Sequence, residues 1–172
     1  MLPHPLHPAV VHFPIVLMLL LPVAAFVALW MIRRGANVRR AWAVPVLGAA
    51  ALAGSSWMAV STGGQESERV ERVVSEQPVE THEESAELFF ALSGVLLVVA
   101  GAGMIRGVVG RTARGVATVG AIAVAVAGVQ VGHTGGQLVY RHGAAAAYSD
   151  PTLARGILKP GTRESGGEVR ER

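Results

Sequence analysis

All six histidines of this chain lie beside the ends of its apolar stretches. They open the first stretch, precede the third and close the fourth: His4, His7, His12, His82, His133 and His142. Imidazole is the side chain best suited to bind a metal or to carry a proton near neutral pH. Because successive membrane helices alternate in direction, these ends meet at one face of a membrane. This gathering favours a cofactor site, above all a haem site.

The apolar stretches predict the fold class. The chain has 172 residues, half of them apolar, and a mean hydropathy of +0.44. Four stretches are nearly free of charged residues, at about 8–32, 41–62, 86–105 and 115–139. Each can cross a hydrocarbon core of roughly 30 Å as a helix, which satisfies its backbone without water. We therefore expect an all-α membrane protein with four transmembrane helices in a bundle.

The arginines predict the orientation of these spans. Arg33, Arg34, Arg39 and Arg40 lie between spans one and two, and Arg106, Arg111 and Arg114 between spans three and four. Short loops rich in arginine face the cytoplasm. Both termini should then be outside, in a bacterial inner membrane. Trp30 and Trp42 flank the arginine-rich side as an aromatic belt, and the basic balance needs no nucleic acid as a partner.

The polar segments complete the predicted layout. Residues 1–146 form the membrane domain, with an acidic outer loop at 63–85 that carries a short amphipathic helix ended by Pro78. Thr81 and Glu84 have the spacing of a capping box for the third span. Residues 147–172 are mixed in charge and contain Pro and Gly, so we expect an extended or disordered tail that can order on a partner.

His12 and His133 are the predicted axial ligands of a haem iron. His12 lies about one turn inside the first span, where a polar ring facing lipid is costly. His133 lies among Gly128, Gly132 and Gly135, which leave room for a flat macrocycle or for a packed helix. We expect both rings to be buried between the spans.

The other histidines are expected at the interface, where a second pair of ligands is available. His7, His82 and His142 are these candidates, and Arg141 suits a haem propionate. His7 and His12 are roughly 140° apart around a helix, so they should serve different partners. The chain has no cysteine, which excludes thiolate sites and covalent c-type haem. Zinc or copper on several histidines and a proton relay are the alternatives.

Two terminal motifs and a histidine before the third span give a family resemblance. The chain resembles the bacterial membrane-protein family catalogued as domain of unknown function number 2231, over roughly residues 5–146. The motifs are His7-Pro8-x-x-Val11-His12-Phe13-Pro14-Ile15 and Gly132-His133-x-Gly135-Gly136-x-Leu138-Val139-Tyr140-x-His142-Gly143. The resemblance implies a four-helix unit with recurrent histidines at 7, 12, 82, 133 and 142. Related units are joined to c-type cytochrome or Rieske-type modules, which implies electron transfer with a separate redox partner.

We therefore expect a membrane b-type cytochrome or a haem-bearing subunit of a respiratory or photosynthetic complex, rather than a stand-alone enzyme. It would hold one haem b, or two if four histidines pair, near the periplasmic face. A redox protein is the expected partner, and quinone is a further candidate. The rival hypotheses are a structural or accessory subunit without a cofactor and a periplasm-facing metal-binding or sensing protein.

Overall fold

A computed structural model describes residues 6–149, which are helical almost throughout. The helices are α1 (His7–Val10), α2 (His12–Arg33), α3 (Val38–Val70), α4 (Glu76–Ala102), α5 (Gly107–Tyr140) and α6 (Ala146–Ser149). α1 and α2 together, α3, α4 and α5 are each long and apolar enough to cross a membrane. The predicted all-α membrane fold with four spans is confirmed. His4 lies outside the described residues.

The four long helices form a closed antiparallel bundle. Each packs against the next in the chain, and α2 packs against α5 to complete the ring. The core between them uses small and aliphatic side chains, which let membrane helices approach closely. Its buried members include Met18, Leu21, Ala25, Ala49, Leu52, Leu96, Ala121 and Val124. Large apolar side chains such as Leu20 and Phe26 are exposed on the outer surface of the bundle, where lipid would cover them.

A proline interrupts the first span near its start. Pro14 has no N–H to donate to the carbonyl of Val10, and its ring crowds that carbonyl. The helix is accordingly divided into α1 and α2 at Val11. α1 packs against α3 as well as α2, which places His7 beside α3 at one end of the bundle.

The predicted acidic loop at 63–85 is wrong in extent, because α3 continues to Val70 and α4 begins at Glu76. The helical ends are held by a second apolar cluster, made of Val74, Val79, Leu138 and Ala144 with Val70 and Val73 packed against it. The expected capping box is also wrong. Thr81 lies inside α4 and donates its hydroxyl to the carbonyl of Gln77, while Ser75 is the N-cap.

The opposite end of the bundle, at the arginine-rich connections, is fastened by two side chains. Trp42 of α3 is fully buried and donates from Nε1 to the carbonyl of Ala100 at 2.8 Å. Arg114 of α5 is also buried and donates to the carbonyl of Gly103. Trp42 is therefore not a belt residue as expected, because its indole spans the interface between α3 and α4. Trp30 is exposed beside Arg34, whose guanidinium lies 5.4 Å from its ring.

The beginning of the expected extended tail is ordered in α6. Ala147 is buried, and the Tyr148 hydroxyl donates to the Glu66 carboxylate at 3.0 Å. Burial and this hydrogen bond raise the pKa of Tyr148 to about 12. The rest of the predicted tail, from residue 150, lies outside the described residues.

Candidate functional site

The candidate site lies at one end of the bundle, where α1, the C-terminal part of α3, the first turns of α4 and the last turns of α5 meet. We call this end the histidine end. Two of the predicted site residues, His7 and His82, come together there. Their ring centres are 6.4 Å apart and their planes are at 82°. The sequence placed these two residues among the interfacial candidates, and their pairing follows from the helix order around the bundle.

His7 is held by α3 through its Nδ1 atom. The ring lies 2.9 Å from the carbonyl oxygen of Ala59 and 3.3 Å from Oγ1 of Thr62. A carbonyl only accepts, so Nδ1 of a neutral ring must carry the proton and donate it to Ala59. This leaves Nε2 unprotonated, with a lone pair free to bind a metal.

His82 reaches the same tautomer by a different contact. Its Nδ1 lies 3.0 Å from Oγ1 of Thr134, and the Thr134 hydroxyl donates its single proton to the carbonyl of Val131 at 3.0 Å. With the Thr134 proton on that carbonyl, Thr134 accepts from Nδ1 of the neutral His82 ring, and the backbone of Val131 is a further hydrogen-bond partner of His82. Both histidines thus hold a fixed Nδ1–H, which is the usual outer contact of a metal-binding imidazole.

Two glycines make room for the rings. A Cβ added to Gly63 would come 3.1 Å from Cε1 of His7, and one added to Gly135 would come 3.0 Å from Cε1 of His82. Both distances are shorter than ordinary contact, so a side chain at either position would displace the imidazole. A Cβ added to the neighbouring Gly64 or Gly136 would meet nothing within 4 Å.

Two adjoining cavities lie beside the histidine pair, with volumes of about 430 and 370 Å³. These volumes fall in the usual range for small-molecule sites, roughly 300–1,000 Å³. The larger cavity extends into the bundle as far as Met18, Phe89 and Gly128. The smaller one extends toward α6 and Tyr148. Both are lined by His7, Pro8, Gly63, His82, Glu83, Gly135 and Val139.

The donor set of this end suits a haem better than a metal ion held by protein alone. Among residues 6–149, no three side chains of His, Asp or Glu are grouped to hold a metal ion. Structural zinc takes four protein ligands and catalytic zinc three, whereas a haem iron needs only two axial ligands beside its porphyrin nitrogens. With metal–nitrogen bonds of about 2 Å, imidazoles on opposite sides of one metal have ring centres roughly 6 Å apart. The His7–His82 separation fits that arrangement.

The expected burial of His12 and His133 is wrong. Both side chains are exposed on the bundle surface, and neither lines the two cavities beside the histidine pair. His12 follows the break at Val11 and faces away from His7, in line with the wide angle between them. His133 contacts Gln137 of its own helix, with the two Nε2 atoms 3.0 Å apart, because Thr134 occupies the buried face at that turn.

The remaining candidates lie beyond the pair. His142 lines a separate cavity of about 180 Å³ with Gln77, Pro78, Thr81, Thr134 and Gln137. Arg141 is exposed at the end of α5 and lines neither larger cavity, so it does not face the His7–His82 pair as a propionate partner. Glu66 faces the smaller cavity and is paired with Arg69 at 3.7 Å.

Sequence reasoning missed Thr62, Gly63 and the role of Thr134 in holding His82. A signal for them was present, because Thr62-Gly63-Gly64-Gln65 recurs as Thr134-Gly135-Gly136-Gln137. Each copy lies where its helix meets one of the two histidines.

Comparison with known proteins gives one family and no closer relative. The family model described as "Predicted membrane protein (DUF2231)" matches residues 3–147. A search of curated proteins and a search of solved structures found no significant match.

Proposed function

The chain belongs to the DUF2231 family of predicted membrane proteins, and from that premise we propose that it is a membrane b-type cytochrome with one haem b between His7 and His82. The observation that carries the proposal is the paired histidines, 6.4 Å apart, each with Nδ1 engaged by a neighbouring helix. This pair replaces His12 and His133 as the favoured axial ligands.

The bound haem would supply reversible one-electron chemistry at iron. His7 and His82 would hold it through Nε2. Ala59 and Thr134 would fix the ring orientation by accepting from Nδ1. Gly63 and Gly135 leave room for the two imidazole rings, and the cavity walls beside the rings are mainly apolar, although Glu83 also lines both cavities.

The arginine-rich connections support an orientation with the histidine end outside the cytoplasm. In a bacterial inner membrane the haem would then lie near the periplasmic face. An electron donor or acceptor would approach from that side, as a separate protein carrying a c-type haem or a Rieske cluster. A quinol is the second candidate donor, because the cavities lie within apolar helices that lipid would surround.

Absorption spectroscopy tests this function. The full chain is expressed in haem-replete cells, purified in detergent and examined as a reduced-minus-oxidised spectrum, with haem measured per chain. We expect a b-type spectrum and one haem per chain, lost in the His7→Ala/His82→Ala double variant. The matched control is His12→Ala/His133→Ala, which should keep the haem because both side chains are exposed.

A colourless, folded wild-type protein would overturn the proposal and leave the accessory subunit as the better account. Metal analysis of the same sample addresses the metal-binding alternative: a stoichiometric metal without porphyrin would contradict a haem site. Haem lost from the control variant and kept by the His7/His82 variant would contradict the ligand assignment.

A further inference from the structure

The histidine end is built twice from the same pattern. His7 and His82 lie at equivalent positions of the first and third spans. Buried residues of the first span have buried counterparts in the third span, and each pair is separated in the sequence by the same number of residues as His7 and His82. The matching buried pairs of α2 and α4 are Pro14 with Phe89, Met18 with Ser93, Leu21 with Leu96 and Ala25 with Ala100.

The second and fourth spans match in the same way. Their buried residues correspond at one constant spacing, which is also the spacing between the two Thr-Gly-Gly-Gln segments. The pairs of α3 and α5 are Trp42 with Arg114, Pro45 with Ala117, Ala49 with Ala121, Leu52 with Val124 and Ser56 with Gly128. Because the pattern of buried positions matches in both helices of the two hairpins, the same structural unit occurs twice in the chain.

The contacts at the site repeat as well. His7 lies against Gly63 of the next span, α3, and His82 lies against Gly135 of the next span, α5. Each Nδ1 atom is bonded within its own hairpin, to α3 in one case and to α5 in the other. Neither histidine depends on the other hairpin for its orientation.

We infer that residues 7–70 and 76–140 are two equivalent helical hairpins, each a half-site that presents one Nε2, with Thr62–Gly63 and Thr134–Gly135 as the positioning residues. The ligand implied is a flat group that takes one imidazole on each of two opposite sides. Naming it as haem rests on the proposed function, whereas the half-site geometry does not.

The two half-sites differ in one respect that makes the inference testable. His7 donates to a backbone carbonyl at 2.9 Å, and the Thr62 hydroxyl is farther away at 3.3 Å. His82 lies 3.0 Å from the Thr134 hydroxyl and also has the backbone of Val131 as a hydrogen-bond partner. The hydroxyl contact is shorter at His82 than at His7, so Thr134→Val should disturb its histidine more than Thr62→Val does.

The first test needs no ligand. Nitrogen-15 NMR of labelled histidines in the haem-free full chain, at a pH where imidazole is neutral, reports which ring nitrogen carries the proton. We expect the Nδ1–H form for both His7 and His82. Thr134→Val should broaden or shift the His82 resonances and leave those of His7 unchanged, and Thr134→Ser should restore them. An Nε2–H form at either residue would overturn the inference.

The second test uses the haem-loaded protein. A hydrogen bond from Nδ1–H raises the basicity of the ligand, which favours oxidised iron. Thr134→Val should therefore raise the reduction potential while haem content stays at the wild-type level, and Thr134→Ser should restore the potential. An unchanged potential in Thr134→Val would contradict a positioning role.

Paired glycine variants test the equivalence of the halves. Gly63→Ala and Gly135→Ala should both displace an imidazole and change the spectrum, because each Cβ meets Cε1 of its histidine. Gly54→Ala and Gly136→Ala are the controls and should leave the spectrum unchanged, because a Cβ at either position meets nothing within 4 Å and neither residue lines the two cavities. An effect of only one of the two glycine substitutions would overturn the equivalence of the halves. A wild type that binds no haem but shows the Nδ1–H form at both His7 and His82 would overturn only the proposed function.

Discussion

Gly128 of α5 lies directly against Met18 of α2, so closely that a Cβ at position 128 would overlap Sδ of the methionine and touch the ring of Phe89. These residues close the inner end of the larger cavity. The contact is the point where the first and fourth spans approach each other below the histidine pair. The packing of these residues therefore sets how far the larger cavity extends into the bundle.

Gly128→Ala should destabilise the protein because the added methyl group has no space at this contact. We expect a loss of about 1–3 kcal/mol in the free energy of unfolding. Unfolding in detergent, followed by circular dichroism, measures it. Gly132→Ala is the control, since a Cβ there meets nothing within 4 Å. Equal stability of the two variants would contradict this packing.

Trp42→Phe should weaken the opposite end of the bundle. The substitution removes the Nε1 donor to Ala100 and leaves a void where a fully buried indole was. A lost hydrogen bond and a partly filled core position together cost about 1–3 kcal/mol. Trp30→Phe should cost little, because Trp30 is 58% exposed. The same unfolding assay compares them, and a Trp42 variant as stable as the Trp30 variant would refute the role of the indole.

Tyr148 should ionise late in an alkaline titration. Burial, with the hydrogen bond to Glu66 next, raises its pKa to about 12 from 10.0. A raised pKa means that folding favours the protonated phenol, so this stabilisation is complete below about pH 10 and is lost as the pH rises through about 12. Phenolate absorbance of the wild type minus that of Tyr148→Phe isolates the group. A midpoint near 10 in the difference curve would show that α6 does not pack on Glu66.

The absence of cysteine from the sequence permits a clean test of orientation. Single cysteines are introduced as Ser75→Cys at the histidine end and Arg39→Cys at the arginine-rich end, both at exposed positions. In intact cells, a membrane-impermeant maleimide should label only Ser75→Cys. Labelling of Arg39→Cys alone would mean that the histidine end faces the cytoplasm.

The sequence predicts the spans well because hydrophobic length is a local property. It predicts the site only in part. Nearness of His7 and His82 depends on how four helices rotate and pack, and a single span carries no information on that rotation. Pro14 turns α1 so that His7 faces inward, and Thr134 takes the buried face where His133 was expected. The acidic segment looked like a loop because charges on helix ends beyond the bilayer resemble those of a loop.

The central claim is that His7 and His82 are the two axial ligands of one haem. Electron paramagnetic resonance of the oxidised wild type and of single-histidine variants tests it most directly. We predict a low-spin signal of the strongly anisotropic kind given by near-perpendicular imidazoles, as the 82° between the rings implies. His7→Ala and His82→Ala should each convert it to a high-spin signal, and His12→Ala should leave it unchanged. A low-spin signal that survives both His7→Ala and His82→Ala would contradict the account.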